Sequence, residues 1–209
     1  MKQFYEEVTK SGALIKMTRH PVKSLYVFDI DDTLFRTSAR ARVVNTKGQV
    51  KYLSSEELKD YEFSASEKIC FSEFTDARKF AEESIPIKPM IKKAQRCIKK
   101  TIFGSKTILL TARADLDCKS KFINYLASSG LDMNHVYVER AGNYLNLSTA
   151  DAKKSIIENY LRLSSYKKVY LYDDSLENIK SFMKLKKIFP KIKIIPRHVT
   201  DNQKNSQEM

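Results

Sequence analysis

Three carboxylates stand within four residues in the run Asp29-Ile30-Asp31-Asp32-Thr33, at the end of an apolar stretch, Ser24–Ile30. Such a cluster is costly, because like charges repel and burial adds to the penalty. A divalent cation relieves it. Hard carboxylate oxygens with open positions suit Mg²⁺, which keeps several of its waters. Side chains alternate at a strand end, so Asp29 and Asp31 can face one site while Ile30 faces the core. One carboxylate is then placed as nucleophile and the other as proton donor. The competing reading of the run is an acidic turn that caps the following helix.

Further groups of the same kind stand later in the chain. The apolar run Lys106–Thr111 ends in Thr111-Ala112-Arg113, a hydroxyl and a guanidinium that can both contact a phosphate. The run Lys167–Tyr172 ends in Asp173-Asp174, followed by Ser175 and Asn178. This second acidic pair can complete a cation site. Between the two, Lys153-Lys154 opens a helix and can balance charge beside carboxylates and a phosphate. The helical period does not separate the two lysines.

These residues need elements to hold them. β-Branched and aromatic runs predict strands over Ser24–Ile30, Lys106–Thr111, His135–Glu139, Lys167–Tyr172 and Lys191–Ile195. Amphipathic periods predict helices over residues 2–16, Ser72–Ser84, Pro89–Lys100, Asp115–Ser129, Thr149–Leu163 and Leu176–Lys187. Strands alternating with helices imply right-handed crossovers and a parallel α/β sheet. Ligands bind such sheets beyond the carboxyl ends of the strands, where the residues above all lie. Val43–Leu53, around Asn45-Thr46-Lys47-Gly48, predicts a hairpin, and Ser54-Ser55-Glu56-Glu57 predicts a capped helix start.

DIDDTL, then LLT, then a helix-borne Lys, then LYDDSLEN resembles the haloacid dehalogenase-like phosphohydrolases in all four motifs and in order, from Leu25 to Asn178. The resemblance implies a Rossmann-like sheet in strand order 5-4-1-2-3, with helices on both faces. It implies Asp29 as the nucleophile, Asp31 as general acid/base, Thr111 on the phosphoryl oxygens and a lysine stabilising both nucleophile and phosphate. The spacing Thr149-x-Asp151-x-Lys153 looks more like the family pattern, so Lys153 is favoured, with Lys154 and Thr33 as neighbouring substrate contacts. Mg²⁺ is expected on Asp29, Asp31 (through its backbone carbonyl), Asp174 and Asp173. Asp31 favours a phosphatase over a dehalogenase. A narrower resemblance to phage-type polynucleotide 3′-phosphatase domains adds Arg113 as a phosphate ligand.

Asp29 and Thr111 are 82 residues apart, more than a bare crossover needs. Residues 36–100 are therefore expected to form a flap hairpin and small cap inside one domain spanning 1–209. Arg36, Arg40, Arg42, Lys47 and Lys51 are its candidate substrate contacts. The chain has 38 Lys and Arg against 25 Asp and Glu, a net charge of +13. Residues 1–35 are neutral, so the excess lies downstream. That balance suits a polyanion such as a nucleotide or a polynucleotide. The run Ile179–Thr200 carries seven Lys and Arg and no Asp or Glu. Cys70, Cys97 and Cys118 make no metal or disulfide pattern and are expected as buried thiols in a reducing compartment. With no apolar run of membrane length and no secretory signal pattern, a cytoplasmic setting is expected. The expected function is a Mg²⁺-dependent phosphomonoesterase acting on a nucleotide or a nucleic-acid 3′-phosphate end. Its rivals are a small-metabolite phosphatase and a catalytically idle nucleic-acid-binding module.

Overall fold

The computed structural model describes residues 23–201. The helix expected over residues 2–16 lies outside them. In chain order the elements are β1 (Ser24–Phe28), β2 (Phe35–Arg36), β3 (Arg40–Val44), β4 (Val50–Ser54), α1 (Ser55–Asp60), β5 (Lys68–Cys70), α2 (Ser72–Thr75), α3 (Ala77–Glu83), β6 (Ile85–Pro86), α4 (Lys88–Ile98), β7 (Lys106–Thr111), α5 (Lys119–Ser128), β8 (Val136–Arg140), α6 (Thr149–Leu163), β9 (Lys168–Asp173), α7 (Leu176–Met183), α8 (Leu185–Ile188) and β10 (Lys193–His198).

Five strands form one parallel sheet in the order β10-β9-β1-β7-β8. Counted within that sheet alone, the order is fifth, fourth, first, second, third. The full-chain numbers differ because the five short strands β2–β6 intervene after β1. Strand β1 is buried along its whole length, as a central parallel strand must be. Its alternation feeds two cores. Tyr26, Phe28 and Ile30 face one, with Phe80 from α3, Met90 and Ala94 from α4, and Phe122 and Leu126 from α5. Leu25 and Val27 face the other, with Ile156 and Ile157 from α6, Phe182 from α7 and Leu185 from α8. Helices thus cover both faces. Among the described residues no helix is long and apolar enough to cross a membrane.

The segment after β1 holds two further sheets. β2 pairs with β6, and β4-β3-β5 form a three-stranded antiparallel sheet. The β3–β4 turn uses Asn45, whose side chain accepts from the N–H groups of Lys47 and Gln49, and Gly48 at φ 76°. Helix α1 begins with a capping box between Ser54 and Glu57.

Several boundaries differ from expectation, each for a local reason. The helix expected over Ser72–Ser84 is two helices, because Asp76 leaves the helical conformation and caps α3 through the N–H of Lys79. The start of α5 is delayed to Lys119, because Asp117 is spent accepting the Ala77 N–H. The helix over Leu176–Lys187 breaks between α7 and α8 at Lys184. Strand β5 has no counterpart in the sequence reading. Cys97 alone of the three cysteines is buried; Cys70 and Cys118 are exposed. Cys70 lies on the solvent side of a thin sheet, and Cys118 precedes the first turn of α5.

Candidate active site

The site is assembled at the carboxyl ends of β1, β7 and β9, with one side chain from α6. After β1 the chain turns back at once: the N–H groups of Leu34 and Phe35 both donate to the Ile30 carbonyl at 3.0 Å. Asp32 takes a left-handed conformation, φ 57°, which Asp tolerates better than most residues. Its carboxylate accepts from the Ser55 hydroxyl at the start of α1. This tight turn leaves Ile30 in the core and holds Asp29 and Asp31 at the strand tip.

Asp29 enters a buried charge cluster. Lys153 Nζ donates to Asp29 Oδ1 at 2.5 Å and to Asp173 Oδ2 at 2.9 Å. All three side chains are almost wholly buried. Lys153 lies on the core-facing stripe of α6, with Ile156, Ile157 and Leu161. Asp173 is fixed from several sides. Its Oδ1 accepts from the Ser175 N–H at 2.9 Å and from Asn178 Nδ2 at 2.9 Å. Asp174 accepts from the Thr33 hydroxyl at 3.3 Å. The Asp174 carbonyl lies 3.0 Å from His198 Nε2 at the end of β10.

Burial is the largest influence on both partners of the ion pair. It pushes the Asp29 carboxyl well above the usual range. Lys153 opposes that, while Asp173, Asp174 and Asp31 add to it. For Lys153, burial favours the neutral amine, but Asp173 and Asp29 together outweigh it and hold the ammonium above its ordinary range. Asp29, Asp173 and Asp174 each offer a carboxylate oxygen, all within 4.8 Å of one another, and could hold a cation between them.

Asp31 has different partners. Arg113, itself buried, donates from Nε to both Asp31 oxygens at 3.1 and 3.0 Å and from NH2 to Oδ1 at 2.7 Å. The Thr111 hydroxyl donates to Asp31 Oδ2 at 3.2 Å and accepts from the Arg113 N–H at 3.1 Å. The rest of the guanidinium is taken up by the insertion: NH1 donates to the Phe74 carbonyl at 2.8 Å and NH2 to the Thr37 hydroxyl at 2.9 Å. Phe74 and Phe80 place their rings about the same guanidinium.

The structure therefore brings Asp29, Lys153, Asp173 and Asp174 into one group, and Asp31, Thr111 and Arg113 into an adjoining one. It does not place Arg113 as an open phosphate ligand, since its donors are spent on Asp31 and the insertion. The Asp31 carboxylate is outside the acidic trio. Thr33 meets Asp174. Lys154 pairs with Asp151 at 3.2 Å, on the flank of α6, rather than with the carboxylate cluster. Lys51 lies over the Tyr61 ring, and Arg36 sits on β2 opposite Ile85. Sequence reasoning missed the Thr37 and Phe74 anchors, His198, and Gly142. A Cβ on Gly142 would stand 2.5 Å from the Ala112 carbonyl oxygen and 2.6 Å from the Arg113 carbonyl carbon. A glycine two residues after the end of β8 was the available signal. Compared with known proteins, the chain matches no family model, and no curated protein matches it.

Proposed function

We propose that this protein is a Mg²⁺-dependent phosphomonoesterase of the haloacid dehalogenase-like type, acting on a nucleotide or a nucleic-acid 3′-phosphate end. The observation that carries the reading is Lys153 bridging buried Asp29 and Asp173 beside half-buried Asp174. Three carboxylates against one ammonium leave two negative charges, the complement of one divalent ion. The donor set is all hard oxygen, which suits Mg²⁺. Asp29, Asp174 and the Asp31 carbonyl would hold the ion, which when bound supplies Lewis-acid charge neutralisation at the phosphoryl oxygens.

In this reading an Asp29 oxygen attacks phosphorus, the ester P–O bond breaks, and the leaving oxygen takes a proton from Asp31. Water then attacks the same phosphorus. Asp31 takes a proton from that water, and inorganic phosphate leaves Asp29 free. Splitting the transfer in this way replaces one difficult step by two easier ones. Arg113 and Thr111 fix the orientation of Asp31, and Lys153 orients Asp29. The nucleotide or nucleic-acid part of the proposal is supported by the net charge of +13.

The test is a panel of phosphate monoesters, from a chromogenic ester through sugar phosphates and nucleotides to 3′-phosphorylated oligonucleotides, with Mg²⁺ and with EDTA. Mg²⁺-dependent release of phosphate, fastest from nucleotides or oligonucleotide ends, is expected. A preference for sugar phosphates would move the substrate to small metabolites. Failure to hydrolyse any ester would leave a binding module.

A further inference from the structure

The β4-β3-β5 sheet of the insertion has two unlike faces, and the register defines them. Arg42 stands opposite Tyr52 on one side and Cys70 on the other. Val44 stands opposite Val50 and Lys68. Side chains alternate along a strand, so these residues share one face, while Ala41, Val43 and Leu53 share the other. Ala41, Val43 and Leu53 are buried. The first face is open: Arg42 and Lys68 are exposed, and Tyr52 is 49% exposed. Arg40 belongs to it too, although Glu57 and Glu73 lie close to that end. Among the described residues no ion pair neutralises Arg42 or Lys68.

Open cations around an exposed ring on a sheet face call for a polyanion with flat apolar groups. A single nucleic-acid strand supplies both, since its phosphates meet the cations and an unstacked base covers the ring. A duplex offers only the phosphates. One end of this sheet also meets the turn that follows β1. β4 ends at Ser54, and the next residue, Ser55, holds the Asp32 carboxylate.

We propose that this face binds a single strand of nucleic acid, with a base stacked on Tyr52 and backbone phosphates at Arg42 and Lys68. The binding stands apart from the chemistry; only its direction, leading a terminal phosphate toward Asp29, rests on the phosphatase reading.

The test uses the full chain and a fluorescent oligothymidylate of about twelve nucleotides, long enough to cover such a surface, with hydroxyl ends. Fluorescence anisotropy is followed from 50 to 200 mM salt. Tyr52→Ala is expected to bind about tenfold more weakly, the worth of one lost stack. Arg42→Gln with Lys68→Gln is expected to flatten the slope of log K against log salt by about 1.4, at about 0.7 per cation. In a Cys118→Ser background, Cys70 is the one exposed thiol among the described cysteines, and bound oligonucleotide should shield it from a maleimide. Circular dichroism confirms that the variants remain folded. Unchanged affinity in both variants, equal competition by a duplex, or a fully reactive Cys70 under saturating oligonucleotide would each overturn the proposal. Because the probe carries no terminal phosphate, its binding can succeed where hydrolysis fails, and the reverse.

Discussion

At the scale of single residues, Asp29 and Lys153 should separate chemistry from stability. Asp29→Asn removes one of several crowded carboxylates yet leaves Lys153 paired with Asp173. The variant is expected to lose hydrolysis while melting at or above the wild-type temperature without metal. Mg²⁺ should raise the melting temperature of the wild type and do so less for Asp29→Asn, because an ion that binds only the folded state stabilises it. Lys153→Met should fail on both counts. It strands Asp29 and Asp173 in the interior, and breaking such a buried pair costs about 3–5 kcal/mol. Calorimetry beside a hydrolysis assay decides between these outcomes; equal melting of wild type and Lys153→Met would refute the buried cluster. Arg113→Lys keeps the charge but loses the planar fork that meets both Asp31 oxygens. If Asp31 is the general acid, the loss should reach about 10²-fold for alkyl esters and shrink for esters with acidic leaving groups. The thiols make a plainer check. Burial pushes Cys97 up to about 11, whereas hydroxyls of Ser72 and Ser120 draw Cys70 and Cys118 below the usual thiol value. Native alkylation followed by mass spectrometry should label Cys70 and Cys118 and spare Cys97.

At the scale of elements, Gly142 shows how a turn can govern a side chain it never touches. The turn after β8 packs directly on the backbone of residues 112–114, and the Gly142 N–H donates to the Arg113 carbonyl at 3.3 Å. Gly142→Ala puts a methyl group against backbone that cannot swing aside, so the loop carrying Arg113 must shift. We expect lower kcat with KM little changed, and a structure of the variant displaced at 112–114; wild-type kcat would show that the loop yields freely. How far such elements can be read in advance depends on their chemistry. The central strands were legible because burial on both faces demands unbroken apolar runs. Helix α6 was legible from Thr149 to Leu163 because its apolar period is unbroken, and the structure adds Ser148 as its cap. Strand β5 was not, since Lys-Ile-Cys is too short to show alternation. The break at Asp76 depends on an aspartate capping rather than continuing a helix, and both are open to that residue type. The site was legible as a set of strand-end residues. Its pairing was not. A guanidinium two residues past a strand suits a phosphate as well as a carboxylate, and only the three-dimensional approach of Asp31, Thr37 and Phe74 selects the carboxylate. Likewise Lys153 and Lys154 differ by one helical step that the apolar period does not separate; the motif spacing favoured Lys153, and it is Lys153 that meets Asp29.

At the scale of the whole molecule, basic charge is concentrated in separate places. Arg40, Arg42 and Lys68 lie on the insertion sheet. Lys180, Lys186, Lys187, Lys193 and Arg197 are exposed on α7, α8 and the edge strand β10. Lysines on an edge strand also discourage pairing between copies, and Pro196 interrupts the same edge. Replacing Lys186 and Lys187 by Gln should therefore change the salt slope of oligonucleotide binding less than the Arg42 and Lys68 replacements do. A larger change would move the binding surface to α8. The insertion and the strand ends are also tied together physically. The Arg113 guanidinium joins Asp31 to Thr37 and Phe74, and Asp117 exchanges hydrogen bonds with Ala77 and Thr75. The insertion is thus part of the frame that steadies Asp31. Where an insertion governs preference and nothing else, recombination can trade it between relatives like an interchangeable tool head. Here a transplanted segment would need a hydroxyl and a carbonyl at the same two points. Under the proposed phosphatase function, every exchange of specificity without them would carry a loss of rate, and such a lineage would diversify by point changes on the exposed face rather than by swapping whole segments.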